Sequence, residues 1–427
     1  MLLLLAGIPI ALFAAPPPES GAWKKTLAAA IAQALSTNPD LSAMEARIEA
    51  SRQRVAQADA FPNPELEVGI KDLPVSSPSL TRDDFTMEMV TARQSLPARG
   101  KLAARRASAE AATANASAMH SVHEVSIAAD VAEAFFGIAE LDRRLEILER
   151  SRERQKRTSA SATERYKVGN AAQSDVLRSN LEATALEDRL LTLKSDRRVL
   201  SARFNSLQGL PARAPVPPID ALDPLPSVPD PVALERQAQE KSPAVAGALA
   251  TVRRAEEEVR LARLERRSDW MLSTYYGHRE RFEDLAGAFV SISLPFAHPR
   301  RLEARRAEME AELSSARADL EAVRIQIRRD IEVGAAELER NVEQEKLYRT
   351  SILPQAEINF RAARESYAVG QIDFETYARA ALDLDTYEGE IATRSAGIGR
   401  ALSALQKASG LPLIPGTPET GATHAEK

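Results

Sequence analysis

The sequence predicts a mainly α-helical protein with a small β part, built from two copies of one helix–strand–strand–helix unit. The first observation behind this fold class is an internal repeat, in which short motifs recur in the same order about 200 residues later. The second is a set of long segments without proline, and the third is four short segments in which apolar and polar residues alternate. The recurring motifs are Asn38-Pro39 with Ser242-Pro243, Ser95-Leu96-Pro97 with Ser293-Leu294-Pro295, Leu102 and Arg105-Arg106-Ala107 with Leu302 and Arg305-Arg306-Ala307, Tyr166 and Val168-Gly169 with Tyr367 and Val369-Gly370, and Gly209-Leu210-Pro211 with Gly410-Leu411-Pro412.

The composition agrees with long helices. Of 427 residues, 27% are charged and only 5% are aromatic, which is typical of coiled coils. The net charge of −5 is modest, so nothing indicates a nucleic-acid partner. The chain has no cysteine, which excludes disulfides, thiol catalysis and thiolate metal sites.

The N-terminal segment predicts export. Residues 2–15 carry no charge and are followed by three prolines. This apolar run is too short to cross a bilayer and has the length of a signal-peptide core. We therefore expect residues 1–15 to be a signal peptide, and a buried N-terminal helix is the alternative interpretation.

The first repeat covers residues 26–210. Helices are predicted up to residue 60, with a break at Asn38-Pro39 and Asp40 as the cap of the second helix. Strands are predicted at about 64–72 and 85–96 from their alternating pattern. The apolar side of the second strand changes near Val90, so we expect a bulge or a change of environment there. Helices of about 98–166 and 172–207 follow, and the first would be ~100 Å long.

The second repeat covers residues 232–412 and follows a proline-rich linker at 211–231. Its strands are predicted at about 268–277 and 285–296. Its long helices are predicted at about 299–367 and 372–408, with a kink or restart at Pro354. Residues 413–427 are predicted to be a polar tail.

The strands pose a physical problem, because four strands are too few to close a membrane barrel. Open strand edges cannot be satisfied in lipid. The strands therefore form a small soluble sheet, or several chains combine their strands, and three chains would supply twelve. In the second case the lipid-facing residues are Ala288, Val290, Ile292 and Leu294, and the lumen-facing residues are Phe289, Ser291 and Ser293.

The duplicated plan, the two Ser-Leu-Pro junctions and the two Tyr-x-Val-Gly turns resemble the TolC family of outer membrane efflux proteins, over about residues 26–412. Asp72-Leu73-Pro74, with Gln94 to Pro97 and Lys101, is similar to its CzcC/CusC-like heavy-metal efflux branch. The resemblance implies a homotrimer with a twelve-stranded β-barrel in the outer membrane of a Gram-negative bacterium, continued by a coiled-coil tunnel in the periplasm. It implies conduction of substrate, heavy-metal cations for that branch, without catalysis or cofactor. The implied partners are a periplasmic adaptor (membrane fusion protein), an inner-membrane pump of the resistance-nodulation-division type, and outer-membrane lipid.

The same resemblance places the two turns at the periplasmic tip, where the adaptor docks. The family often has a carboxylate six residues after the second glycine, at the narrow end of the tunnel, but this chain has Thr376 there and so departs from a carboxylate ring. The predicted docking residues are Tyr166, Val168, Gly169, Asp175, Val176, Tyr367, Val369 and Gly370. The gate candidates at the tunnel end are Asp373, Glu375, Thr376 and Arg379.

A basic cluster recurs at the start of both long helices. The dipole of a helix N-terminus disfavours basic side chains, which indicates a local reason for their presence. They are either part of a solvated helix start or contacts to phospholipid headgroups at the membrane rim. The cluster consists of Lys101, Arg105, Arg106, Arg300, Arg301, Arg305 and Arg306.

Motifs of enzyme chemistry are missing from the sequence, which has no phosphate-binding glycine loop, His-Glu-x-x-His motif or nucleophile elbow. His120, His123 and Glu124 could share a helix face and bind a metal, but no third strong ligand accompanies them, and solvated side chains are the simpler interpretation. We therefore predict no metal site. Two rival functions stay open: the outer-membrane component of type I protein secretion, and a structural coiled-coil protein without a channel.

Overall fold

The computed structural model describes residues 21–76, 78–169, 172–219, 222, 228–295 and 299–418. The predicted signal peptide at 1–15 and the last part of the predicted tail lie outside these ranges. The first repeat contains α1 (Ala22–Thr37), α2 (Pro39–Ala58), β1 (Glu65–Lys71), β2 (Met87–Leu96), α3 (Lys101–Lys167) and α4 (Gln173–Leu207). The second contains α5 (Pro231–Lys241), α6 (Pro243–Leu264), β3 (Trp270–His278), β4 (Leu285–Ile292), α7 (Pro299–Leu347), a π-helical turn (Tyr348–Ile352), α8 (Leu353–Ala368) and α9 (Phe374–Ser409). The predicted fold class, a duplicated and mainly α-helical chain with a small sheet, is confirmed.

The break between α1 and α2 is set by Asn38. Its side chain accepts hydrogen bonds from the amides of Asp40 at 2.8 Å and Leu41 at 3.4 Å. Pro39 occupies the first helical position, where its missing N–H costs nothing. The prediction of Asp40 as the cap is wrong, because a capping side chain must stand before the first turn to reach its free amides.

The four strands form one antiparallel sheet in the order β1-β2-β3-β4, so the two hairpins join through β2 and β3. Across the sheet, Val68 pairs with Val90, Val90 with Tyr276, and Tyr276 with Ala286. Residues in one such row point to the same side. This side, called the apolar face below, carries Leu66, Val68, Ile70, Val90, Ala92, Leu96, Trp270, Leu272, Tyr276, Ala286, Ala288, Val290 and Ile292, interrupted by Gln94 and Thr274 and ended by Glu88 and His278.

The opposite face of the sheet is mixed. Glu67 and Arg93 form an ion pair across it at 2.7 Å, and Tyr275 stacks on Phe289 with ring centroids 5.7 Å apart. Met87 is buried on this face. The pairing of β2 with β3 runs unbroken from Glu88 to Leu96, so the change of apolar side near Val90 is a change of environment and the predicted bulge is wrong.

The helices lie side by side in a defined order. Helix α3 contacts α2 and α6 in its first half and α4 and α9 in its second half. Helix α7 contacts α6 and α9, and α8 continues along α9. The order is therefore α2–α3–α6–α7 near the sheet and α4–α3–α9–α8 away from it. Within the described chain, α2 and α4 form one lateral edge and α7 and α8 the other.

Apolar cores hold the middle of this layer together. One core joins α1, α3 and α9 around Leu27, Phe135 and Phe136, and Ile414 belongs to it. The amides of Leu413 and Ile414 donate to the Gln406 side chain at 2.9 and 3.0 Å. Residues 413–418 are therefore packed on the core and differ from the polar tail that we expected to begin at 413.

The second long helix holds one residue more than the first between matching positions. A π turn has i→i+5 hydrogen bonds and so accommodates one extra residue within a helix. The π turn Tyr348–Ile352 stands just before Pro354, where the sequence predicts a kink or restart. Buried positions on either side show the shift: Ile127 and Ile327, Val131 and Ile331, and Ile138 and Leu338 lie 200 residues apart, whereas Ala162 and Ala363 lie 201 apart.

Candidate functional site

The two turns that end the outgoing long helices lie together, at the end of the layer away from the sheet; this region is called the tip below. Tyr166, Val168 and Val369 are exposed there, the last two by about 70%. Gly169 and Gly370 have φ angles of 78° and 80°, in the left-handed region that only glycine adopts without strain. The tip thus presents apolar side chains on two tight reversals.

Arg165 ties the two turns to each other. Its Nη1 atom donates to the carbonyl oxygen of Tyr367 at 2.8 Å, and its guanidinium lies 5.1 Å from the centre of the Tyr367 ring. A Cβ atom on Gly370 would lie 3.3 Å from the same guanidinium. Because Arg165 belongs to α3 and Tyr367 to α8, this contact fixes the two predicted docking turns relative to each other.

The second turn has an aromatic core that the first lacks. Tyr367, Phe374 and Tyr377 are buried, and the Tyr367 and Tyr377 rings stack 5.1 Å apart. Burial raises the pKa of the Tyr367 hydroxyl and outweighs the nearby Arg165. At the equivalent positions of the first turn, Tyr166 and Gln173 are exposed and Val176 is half-buried, as is the neighbouring Asp175. The α8–α9 end is therefore a self-contained unit, whereas the α3–α4 end is held by polar contacts such as Gln155 to Ser179.

The four gate candidates have different surroundings. Asp373 caps α9 by accepting a hydrogen bond from the Thr376 amide at 2.9 Å, and hydrogen bonds from Thr376 hold the pKa of this carboxyl below its usual range. Glu375 forms an ion pair with Arg178 of α4 and lies 3.7 Å from Arg379. The charges at this end are thus paired within one chain, across the two hairpins.

Arg178 belongs to this site but was not predicted from the sequence. It follows Asp175 by three residues, as Arg379 follows Thr376, so the internal repeat already contained the signal. Arg165 was also missed, because no local pattern shows which carbonyl a long side chain will reach.

Lys101 departs from the rest of the predicted membrane-rim cluster. Its side chain is only 8% exposed, and its ammonium bonds both carboxylate oxygens of Asp269 at 2.8 and 2.9 Å. Asp269 also accepts from the Ala98 amide at 2.7 Å, and its own amide donates to Ser293 Oγ at 2.8 Å. Lys101 therefore joins the strand–helix junctions of the two repeats and is not available to a headgroup.

The other rim residues, Arg105, Arg106, Arg300, Arg301, Arg305 and Arg306, are exposed. Arg106 pairs with Asp59 and Glu110, both at 2.8 Å. Arg305 pairs with Glu308 at 2.9 Å and Arg306 with Glu310 at 2.8 Å. These exposed pairs contribute little to stability and leave the guanidinium groups accessible.

His120, the possible metal ligand considered from the sequence, is a buried side chain on α3. His120 Nδ1 lies 3.5 Å from Glu124, and Nε2 lies 4.0 Å from Glu45 of α2. Among the residues that the structure describes, no group of three His, Cys, Asp or Glu side chains is arranged to hold a metal ion. None of the described helices is both long and apolar enough to cross a membrane.

Sequence comparisons match parts of this chain to known proteins. Residues 30–209 match the family model described as outer membrane efflux protein. The chain is 29% identical over 287 residues to the cobalt-zinc-cadmium resistance protein CzcC of Cupriavidus metallidurans, and the match spans 65% of this chain and 65% of that relative's length.

Solved structures share the fold at lower identity. The outer membrane protein VceC of Vibrio cholerae superposes with a TM-score of 0.77 at 18% identity, covering 92% of this chain and 99% of that one. CusC superposes with a TM-score of 0.75 at 13% identity, covering 90% and 92%. The chain therefore resembles the outer membrane efflux protein family over residues 30–209, and it shares the architecture of the solved structures over at least 90% of its length.

Proposed function

We propose that the chain is the outer-membrane channel of a tripartite efflux system and works as a trimer. The observation that carries this proposal is the sheet: four strands with two open edges and one exposed apolar face, joined directly to long helices. An exposed apolar face of this size needs lipid or another chain to cover it. Three copies supply twelve strands. Closing them into a barrel pairs the open edges and turns the apolar face towards lipid.

The helices support the same assembly. Exposed apolar side chains recur on the two lateral edges of the layer, at Leu181, Leu191 and Val199 on α4 and at Ile325 and Val333 on α7. Packing these edges against neighbouring copies closes the layer into a tunnel of about 100 Å, the length of a helix of the size of α3.

Heavy-metal cations are the proposed substrate class. The support is the likeness to CzcC, whose name states cobalt, zinc and cadmium resistance. The chain would conduct these ions, delivered by an inner-membrane pump of the resistance-nodulation-division type, without catalysing a reaction.

The first experiment measures assembly and export together. Light scattering of the detergent-purified protein should give a trimer. Deleting the gene should raise cellular cobalt, zinc and cadmium on challenge, while release of drugs and of secreted proteins is followed in parallel. A stable folded monomer would refute the channel, and loss of protein secretion alone would assign the chain to type I secretion.

We further propose that the tip docks the periplasmic adaptor. Its exposed Val168 and Val369 and its two positive-φ glycines form a surface that helical hairpins of a partner can meet end to end. Cysteine at Gln371 should crosslink to the adaptor, since the chain has no native cysteine, and cysteine at Arg105, near the sheet, is the control. Crosslinks from Arg105 but not from Gln371 would place the adaptor elsewhere. Asn170, on the other turn, lies outside the described residues.

Gly370→Glu provides the functional counterpart of that test. A side chain at a φ of 80° is strained, and it would press on Arg165, which lies against this glycine. We expect normal trimer levels with export lost.

We propose separately that the exposed rim arginines, Arg300 and Arg301 among them, contact lipid headgroups. This contact predicts weaker insertion into membranes without anionic lipid.

A further inference from the structure

One helix–helix contact joins the two repeats inside a single chain. Helices α3 and α6 pack antiparallel, with Ser108 Oγ donating to Glu258 at 2.6 Å and Asn115 Nδ2 donating to the Gly247 carbonyl at 2.8 Å. The side of α3 that meets α6 follows the alternating spacing of four and three residues that marks a helix–helix seam. This row consists of Ala104, Ser108, Ala111, Asn115, Ala118, Val122 and Val125, all of them buried or half-buried.

The equivalent row on α7 is exposed. It lies 200 residues later, at the offset of the matching landmarks, and α7 meets α6 through a different row that includes Met309, Ala316 and Leu320. The exposed row has the same alternating spacing. Its members are Ala304, Glu308, Ala311, Ser315, Ala318, Ala322 and Ile325.

A complementary surface lies on α2, at the other lateral edge. Helix α2 corresponds to α6 at an offset of 204, set by Pro39 and Pro243. The offset is correct in three dimensions, because Ile48 and its equivalent Val252 are both buried. The α6 residues that meet α3, which are Gly247, Thr251 and Glu258, correspond to Ala43, Arg47 and Arg54, and all three of these are exposed.

We propose that α7 of one copy packs against α2 of the next in the register of α3 against α6, so that Glu308 faces Arg54 and Ala318 faces Ala43. This rests on the proposed trimer and adds its register and its charge pair. Glu308 pairs with Arg305 on its own helix, but the two side chains are 53% and 43% exposed, so this pair is weak and Glu308 can turn to a neighbour.

The charges also make the contact selective. If α7 of one copy met α6 of another in this register, Glu308 would face Glu258, and two carboxylates would repel. Against α2 it meets Arg54, of opposite charge. Within one chain the same position joins the neutral Ser108 to Glu258. The attractive pair and the repulsive alternative together direct each copy to the correct edge of the next.

A disulfide pair tests the register. A Cβ atom on Gly247 would lie 3.4 Å from the Cβ of Ala118, close to the separation of about 3.5–4.5 Å in disulfides. The equivalent pair between copies is Ala43 and Ala318. The double variant Ala43→Cys/Ala318→Cys should oxidise in isolated outer membranes to covalent dimers and trimers that reductant reverses. The matched variant Gly247→Cys/Ala118→Cys should crosslink within one chain and keep the monomer mass.

Charge reversal tests the pair itself. Arg54→Glu and Glu308→Arg should each lower the trimer fraction after mild dissociation by about threefold, the size expected for one exposed ion pair, and their combination should restore it. If Ala43→Cys/Ala318→Cys does not crosslink while light scattering still gives a trimer and export persists, the register is wrong and the channel proposal stands. A monomer in detergent would refute both.

Discussion

Lys101 is a buried cation that pairs with the Asp269 carboxylate and also donates a hydrogen bond to the Arg267 carbonyl at 3.2 Å. Asp269 is 41% exposed, whereas Lys101 is 8% exposed, so the lysine has far less access to water than its partner. Partial burial acts to raise the pKa of Asp269, but hydrogen bonds from Lys101 and the Ala98 amide outweigh it and hold the pKa below its usual range. The junction between the sheet and the helices of both repeats therefore contains an ion pair that is costly to break from one side only.

We predict that Asp269→Asn destabilises the protein more than Lys101→Met. Losing the carboxylate leaves the ammonium buried without its counter-charge, at a cost of about 1.5–3 kcal/mol, the contribution of a hydrogen bond to a charged group. Losing the lysine leaves Asp269 free to be hydrated. The measurement is the midpoint of heat-induced loss of circular dichroism in detergent. Equal shifts in the two variants would contradict this interpretation.

The same pair predicts an acid response. Because the pKa of Asp269 is lower in the folded than in the unfolded state, its contribution is complete above the unfolded value, about 3.9, and is lost as pH falls through the folded-state value. The heat stability of the wild type should fall across this acidic window by more than that of Asp269→Asn, which has no carboxylate to protonate at this position.

Single residues show where sequence reasoning succeeds and where it stops. The glycines at 169 and 370 and the two strand faces were predictable, because local backbone geometry and alternation fix them. The Asp269 partner of Lys101 and the Tyr367 partner of Arg165 were not, since each pair is more than 160 residues apart in sequence. Asn38 was not predicted as the cap of α2, because the cap was placed after the proline. The residue before the proline is the one that faces the free amides.

At the scale of elements, the π turn shows how the second long helix differs from the first. The change of repeat offset from 200 to 201 was already present in the sequence, but nothing in the residue pattern told where the extra residue would be placed. The structure places it at Tyr348–Ile352, one turn before the helix continues through Pro354. Strand and helix bounds otherwise follow the predicted pattern, because proline, glycine and alternation mark them locally.

We predict that deleting Thr350 is tolerated. Removing one residue from a π turn leaves a regular α-helix and keeps the faces of α8 in phase with those of α7. The matched control is deletion of Glu149, the equivalent position in the uninterrupted α3, which would rotate the rest of that helix by about 100° at 3.6 residues per turn. Helix content and trimer yield should survive the first deletion and not the second. Equal loss in both would show that the π turn does not hold a spare residue.

At the scale of the whole molecule, the proposed contact with the membrane depends on the apolar face of the sheet. The face extends over all four strands, interrupted by Gln94 and Thr274, because the register aligns their alternating patterns. Sequence alone assigned the sides of each strand but not the order in which strands pair. Ile292 is the last residue of β4 and pairs with Trp270 at the start of β3, so it lies near one boundary of the sheet.

The test of the two faces therefore belongs further into the strand. Val290→Lys should impair insertion, with a cost of ~2–4 kcal/mol towards the middle of the bilayer. Ser291→Lys, on the opposite face, should insert normally because that side is open to water. The measurement is the yield of heat-modifiable trimer in outer-membrane fractions. Normal assembly of Val290→Lys with failure of Ser291→Lys would reverse the assignment of the faces.

The extra residue of the second long helix also limits the symmetry that the assembled protein can have. Six identical half-chains would form a ring with six equivalent positions, in which any change at one position occurs at all. Fusing two halves into one chain reduces the equivalence to three, and among the residues that the structure describes the π turn lies in the second half. In a ring of three chains, every second hairpin would then carry a π turn, so neighbouring hairpins would not be equivalent.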